Sequence, residues 1–125
     1  MTKKKAIIIG LVLVFVLVVI SQLMPLFSNP KTFVLEDYVS EIAQYGSELN
    51  VGKITDEADA LAKAESVWIS QYGQIVLKQK PYKIKTDPIT KTYLIQGTLP
   101  KGSAGGIAMI ILDSTGRVLA LWHTN

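Results

Sequence analysis

Residues 107–123 read Ile107-Ala108-Met109-Ile110-Ile111-Leu112-Asp113-Ser114-Thr115-Gly116-Arg117-Val118-Leu119-Ala120-Leu121-Trp122-His123. Two apolar runs flank Asp113-Ser114-Thr115-Gly116, four turn formers that predict a tight hairpin. Both alternating faces are apolar in Ile107–Leu112 and again in Val118–Trp122. An antiparallel sheet with one wet face alternates apolar and polar residues. The second face of this hairpin therefore needs cover. Strong sheet curvature, a helix or another protein would supply it.

Upstream, the same period-two pattern begins at Gln74. Ile75–Gln79 is a short run that Pro81 interrupts, and Tyr82–Thr86 alternates apolar residues with Lys83 and Lys85. Asp87-Pro88-Ile89-Thr90-Lys91 is a turn. Thr92–Leu99 is a strand with Tyr93 and Ile95 on one face and Leu94 and Gln96 on the other. Pro100–Gly106 is a loop.

Before the strands, the apolar period lengthens to three or four. Val34, Tyr38, Ile42, Tyr45 and Leu49 predict an amphipathic helix over 34–47, with Glu36, Asp37, Glu41 and Glu48 on its other faces. Gly46 and Gly52 bracket its end. Thr55 or Asp56 caps a second helix whose first turn carries Glu57 and Asp59, where the helix dipole favours negative charge. Ala58, Leu61, Ala62, Trp68, Ile69 and Tyr72 form its apolar stripe, and Gly73 suits a left-handed C-cap. Helices followed by strands specify an α+β domain: two helices on one face of a curved antiparallel sheet of three to four strands.

Residues 1–33 are of a different kind. Residues 6–24 are apolar without a charge, and nineteen helical residues span about 28 Å, close to a bilayer core. Lys3, Lys4 and Lys5 precede them and Pro25 follows. The expected organisation is a basic cytoplasmic start (1–5), a transmembrane anchor (6–24), a spacer (25–33) and a domain (34–125). The positive-inside rule keeps the N-terminus in the cytoplasm and places the domain beyond the cytoplasmic membrane. A cleaved signal peptide shares the basic start and apolar middle. The stretch 22–28 offers no Ala-x-Ala before a cut, and the apolar run is longer than a usual signal core.

The net charge of +3 comes entirely from the three N-terminal lysines; residues 31–125 hold ten Lys/Arg and ten Asp/Glu. That balance removes the electrostatic footprint of a nucleic-acid binder. With no cysteine, disulfides and thiolate metal sites are excluded. His123 is the only histidine and stands two residues from the C-terminus. No Gly-x-Ser-x-Gly or His-Glu-x-x-His occurs. Lys101-Gly102-Ser103-Ala104-Gly105-Gly106 lacks Walker spacing and is followed by a strand, so its glycines serve a loop. Asp56, Glu57 and Asp59 lack the glycine and distal glutamate of a calcium loop. No cofactor, metal or catalytic set is expected.

Two groups of residues remain as candidates for binding. Lys83 and Lys85, with Lys101, Gly102, Gly105 and Gly106 of the loop, are candidates for touching a partner, since loops on a rigid scaffold often bind. Trp68, Tyr72 and Trp122 are core residues that would otherwise line a pocket.

Several short motifs point to a family. They are Thr55-Asp56-Glu57-Ala58 with Ala62-Lys63-Ala64-Glu65; Tyr72-Gly73 with Gln79-Lys80-Pro81-Tyr82; Gly97-Thr98-Leu99-Pro100-Lys101-Gly102 with Gly105-Gly106; and Asp113, Gly116 and a closing strand ending in His123. Through them, residues 54–125 resemble the bacterial immunity-protein family with a nuclear-transport-factor-two-like fold, found beside polymorphic toxins. The resemblance implies a cone-shaped α+β domain and a non-catalytic role, binding and neutralising a cognate toxin. An anchor is not part of the family's motif. The other readings are a small-ligand or peptide-binding module and an accessory subunit of a membrane complex. The oligomeric state is left open.

Overall fold

A computed structural model describes residues 31–103 and 105–125. The predicted basic start, the anchor at 6–24 and the spacer up to residue 30 lie outside the described residues. Among the described residues no helix is long and apolar enough to cross a membrane.

The order is α+β. A 3-10 turn, Leu35–Tyr38, leads into α1, Val39–Tyr45. Helix α2 spans Glu57–Tyr72, and a second 3-10 helix, Gln74–Gln79, follows. Strands β1 (Lys83–Asp87), β2 (Thr92–Gln96), β3 (Ala108–Asp113) and β4 (Val118–His123) form one antiparallel sheet in the order β1-β2-β3-β4.

Helix α2 begins and ends where its caps dictate. The Asp56 carboxylate accepts from the Asp59 N–H at 2.7 Å. At the other end the Gly73 N–H donates to the Ile69 carbonyl at 2.8 Å, and Gly73 takes φ 84, open to glycine at little cost. The buried face is Ala60, Ala64, Val67 and Trp68, flanked by Leu61, Ile69 and Tyr72. Ala58 and Ala62, expected in the stripe, are exposed. Five alanine and leucine positions fit two helical phases almost equally, and the large Val67 and Trp68 decide between them.

The helices do not share one face of the sheet. Helix α2 packs on Ile95, Ile110, Leu112 and Val118. The 3-10 turn and α1 bring Leu35, Tyr38 and Ile42 onto the opposite face, over Leu94, Met109, Ile111, Ala120 and Trp122. This answers the two-faced hairpin: each apolar face receives its own helical cover. A β-bulge makes both faces work. Leu112 pairs with Val118 but Ile111 pairs with Ala120, so Leu119 is an extra residue in β4. Without it Val118 would share a face with Ala120 and Trp122.

Two more expectations change. Ile75–Gln79 is a 3-10 helix, not a strand; only Val76 is buried, while Ile75 and Leu77 are exposed. The first helix is shorter than 34–47, and Leu49 lies beyond it, 45 % exposed.

Both sheet edges are partly paired by flanking chain. The Thr86 N–H donates to the Lys31 carbonyl at 2.7 Å and the Phe33 N–H to the Thr86 carbonyl at 3.1 Å, so residues 31–33 of the predicted spacer run along β1. At the far edge the Val118 N–H donates to the Leu49 carbonyl at 3.0 Å and the Val51 N–H to the Gly116 carbonyl at 2.8 Å. Such cover blunts the template that open strand edges present.

Candidate functional site

The most constrained exterior feature is built around Asp87, at the end of β1. Its carboxylate is buried and accepts from three backbone N–H groups. Leu35 donates to Oδ2 at 2.9 Å, and Ile89 and Thr90 donate to Oδ1 at 3.0 and 3.4 Å. Burial alone would raise its pKa, but the Leu35 N–H and the Thr90 and Ile89 donors outweigh it and hold the carboxyl below its ordinary value. One side chain thus ties the start of the first helical segment to the β1–β2 turn. Val34 and Ile89, each beside a donor to this carboxylate, are 54 % and 77 % exposed. Val39, in the first turn of α1, is 60 % exposed. Glu36 and Asp37, between them, are exposed as well.

A second feature is an open groove of about 660 Å³ between α2 and the segment entering β1, lined by Leu61, Ala62, Glu65, Lys80, Pro81 and Tyr82. Lys80 Nζ lies 3.0 Å from Glu65 Oε2, which holds the Glu65 carboxyl below its ordinary value. The Tyr82 ring packs edge-on against Trp68 at 5.0 Å. Its Oη is buried with no hydrogen-bond partner of sound geometry, and burial, then the nearby Glu65 carboxylate, push its pKa far up.

Of the candidate lysines, Lys83 is exposed and Lys85 half-buried. Strand alternation points both to the α1 side of the sheet, since Ile84 between them packs in the α2 core. Lys83 pairs with Gln96, after which the chain enters the loop, so Lys83 lies at the loop's end of the sheet and the Asp87–Lys91 turn at the other. Lys101, Gly102 and Gly105 are exposed and Gly106 is half-buried.

The glycines that looked most distinctive have packing reasons. Gln79 closes the mouth of this loop: Nε2 donates to the Gly106 carbonyl at 3.1 Å and Oε1 accepts from the Ala108 N–H at 2.9 Å. A Cβ on Gly97 would run into the Gln79 side chain, and one on Gly106 into the Thr124 carbonyl.

Trp68, Tyr72 and Trp122 do not come together. Trp68 is fully buried on the α2 side, and its Nε1–H points to the Met109 carbonyl at 3.4 Å. Trp122 lies on the α1 side, where Tyr45 stacks on it at 6.0 Å and Tyr38 meets it at 6.2 Å. Tyr72 meets His123 edge-on at 5.7 Å. The sheet separates the two tryptophans, so no cavity is shared between them. Among the described residues no three His, Asp or Glu side chains gather in a group that could hold a metal ion.

Asp87, with Val34, Val39 and Ile89, carries no sequence signal for a site. The turn chemistry of Asp87-Pro88 was legible, but the bond to Leu35, 52 residues upstream, was not.

Comparison with known proteins supplies the family. No curated protein and no solved structure matches the chain. A family model described as NTF2 fold immunity protein matches residues 59–125, from the first turn of α2 through β4. That span holds all four strands and the Gln79 lock on the glycine loop, and it exceeds half of the chain. The chain therefore belongs to the NTF2 fold immunity protein family.

Proposed function

We propose that this protein is a membrane-anchored immunity protein that binds and neutralises a cognate bacterial toxin domain without catalysing a reaction. The family match over 59–125 is the observation that carries this reading. The packing supports it: both faces of the sheet are filled by side chains and helical cover, which leaves exterior surface for recognition. Residues 6–24 supply the anchor in the cytoplasmic membrane, with the N-terminus in the cytoplasm and residues 31–125 on the far side. Held there, the domain meets a toxin on arrival, before it acts.

The test is co-expression with the gene immediately upstream, in a sensitive host, with survival scored. The neighbour should kill alone and be harmless together with this protein. A harmless neighbour, or killing that this protein does not relieve, would remove the reading.

One observation favours a second reading, a module for a small ligand or peptide: the groove at Glu65, Lys80 and Tyr82, with its unpartnered Oη. A thermal-shift screen separates the two. A ligand that stabilises the wild type but not Tyr82→Phe would favour the groove.

A further inference from the structure

We infer that the outward surface of the first helical segment, Val34 to α1, joined by Ile89, is where the toxin docks, and that the toxin presents a basic face to it. The inference rests on the immunity reading and adds which surface is used and the chemistry of what covers it.

Charge within the described domain is unevenly placed. From Thr32 to Gly52 there are four carboxylates (Glu36, Asp37, Glu41 and Glu48) and no Lys or Arg, although the domain as a whole is balanced. Elsewhere the carboxylates are mostly occupied. Asp59 pairs with Lys63 and Glu65 with Lys80, while Asp87 and Asp113 accept from backbone N–H groups. Glu36, Asp37 and Glu48 are exposed and form no ion pair among the described residues.

The same surface is apolar where a solvated helix face should be polar. Val34, Val39 and Ile89 are each more than half exposed. Apolar side chains set among unpaired carboxylates suit a protein surface that offers an apolar contact ringed by Lys or Arg. They suit nucleic acid and anionic bilayers poorly, because both repel the carboxylates. The Asp87 clamp fixes both parts of the surface relative to each other, so little ordering is left for binding to supply. Lys83 and Lys85 carry the opposite sign and belong to β1, not to the helical segment or the Asp87–Lys91 turn.

The experiment uses the full-length protein in detergent micelles and the toxin domain encoded beside it, with association and dissociation measured by surface plasmon resonance at several salt concentrations. Glu36→Lys with Asp37→Lys should slow association about tenfold or more at low salt, and the gap should narrow as salt rises. Val39→Asp should speed dissociation. Both changes are at exposed positions, and an unchanged thermal melt confirms the fold. Lys83→Glu with Lys85→Glu should leave association as fast as in the wild type, or faster. Binding lost in the lysine variant but kept in the Glu36/Asp37 variant would overturn the surface while leaving the immunity reading standing. So would toxin binding unchanged in Val39→Asp when that variant instead loses affinity for phosphatidylglycerol vesicles, which would give the face to the bilayer. No binding by the wild type would end the immunity reading, and this surface with it.

Discussion

Asp87→Asn should destabilise the domain by about 2 kcal/mol at neutral pH, within a range of roughly 1.5–3 kcal/mol. The carboxylate accepts on both oxygens, from Leu35 on one side and from Ile89 and Thr90 on the other. An asparagine keeps one acceptor oxygen and turns an N–H toward the remaining donor. With the amide oxygen toward Ile89 and Thr90, the charge-assisted bond from Leu35 is lost and the other two become neutral, the lost bond alone worth about 1 kcal/mol or more where the group is buried. The pH dependence follows from the lowered pKa of Asp87. Its folded value lies below the unfolded value of about 3.9, so its stabilisation is complete above that pH and is lost as pH falls through the folded value. The gap between wild type and Asp87→Asn should be constant near neutrality and shrink only below about pH 4. Urea unfolding of the full-length protein in mild detergent, followed by tryptophan fluorescence, measures it. Trp68 and Trp122 both lie in the domain and residues 1–30 hold no tryptophan, so the signal reports the domain alone. A loss under about 0.5 kcal/mol, within the scatter of surface substitutions, or an equal loss at pH 2 and pH 7, would refute the assignment of Asp87 as an ionised clamp.

Three other outcomes are expected. Asp56→Ala removes the cap on the Asp59 N–H and should cost about 1 kcal/mol, read as a lower urea midpoint at unchanged slope. Gln79→Ala leaves the Ala108 N–H and the Gly106 carbonyl without their partners; hydrogen exchange at Ala108 should accelerate at least tenfold, while the amides of β4 keep their protection. Gly116→Ala should cost about 2–4 kcal/mol, because φ 95 disfavours a side chain and its Cβ would meet the Gly52 carbonyl; a thermal melt within two degrees of wild type would contradict that packing.

Local chemistry was readable in the sequence. The caps Asp56 and Gly73, the turns at Asp87–Lys91 and Asp113–Gly116, and the strands between them each follow from residues close in the chain. What depends on distant partners was not. The apolar faces of 107–112 and 118–122 announced that cover was needed, but which helix covers which face is settled by packing across the sheet and by the extra residue Leu119. Ile75–Leu77 misled because three apolar residues in a row fit a short strand and a 3-10 turn equally. The spacer residues 31–33 hold no strand-like pattern, and their pairing with Thr86 is tertiary.

For the binding surfaces the same division holds. Lys83, Lys85 and the glycine loop could be named from sequence as exposed, charged or flexible. Yet Gly97 and Gly106 are glycines because Gln79 and Thr124 leave no room for a Cβ. The aromatic trio could not be resolved from spacing, since Trp68 and Trp122 differ in which side of the sheet they occupy. The run of four carboxylates without a base was visible, but its exposure and its junction with Ile89 required the fold.

The central claim is toxin neutralisation by direct binding, and a titration tests it most directly. The full-length protein in detergent is titrated calorimetrically with the purified toxin domain encoded beside it, made inactive by mutation so that it can be produced. The account predicts a saturable complex of fixed stoichiometry with a dissociation constant in the nanomolar range or tighter, as expected for a complex that must hold against a lethal activity. No heat and no complex by size-exclusion chromatography, with both proteins folded, would contradict it.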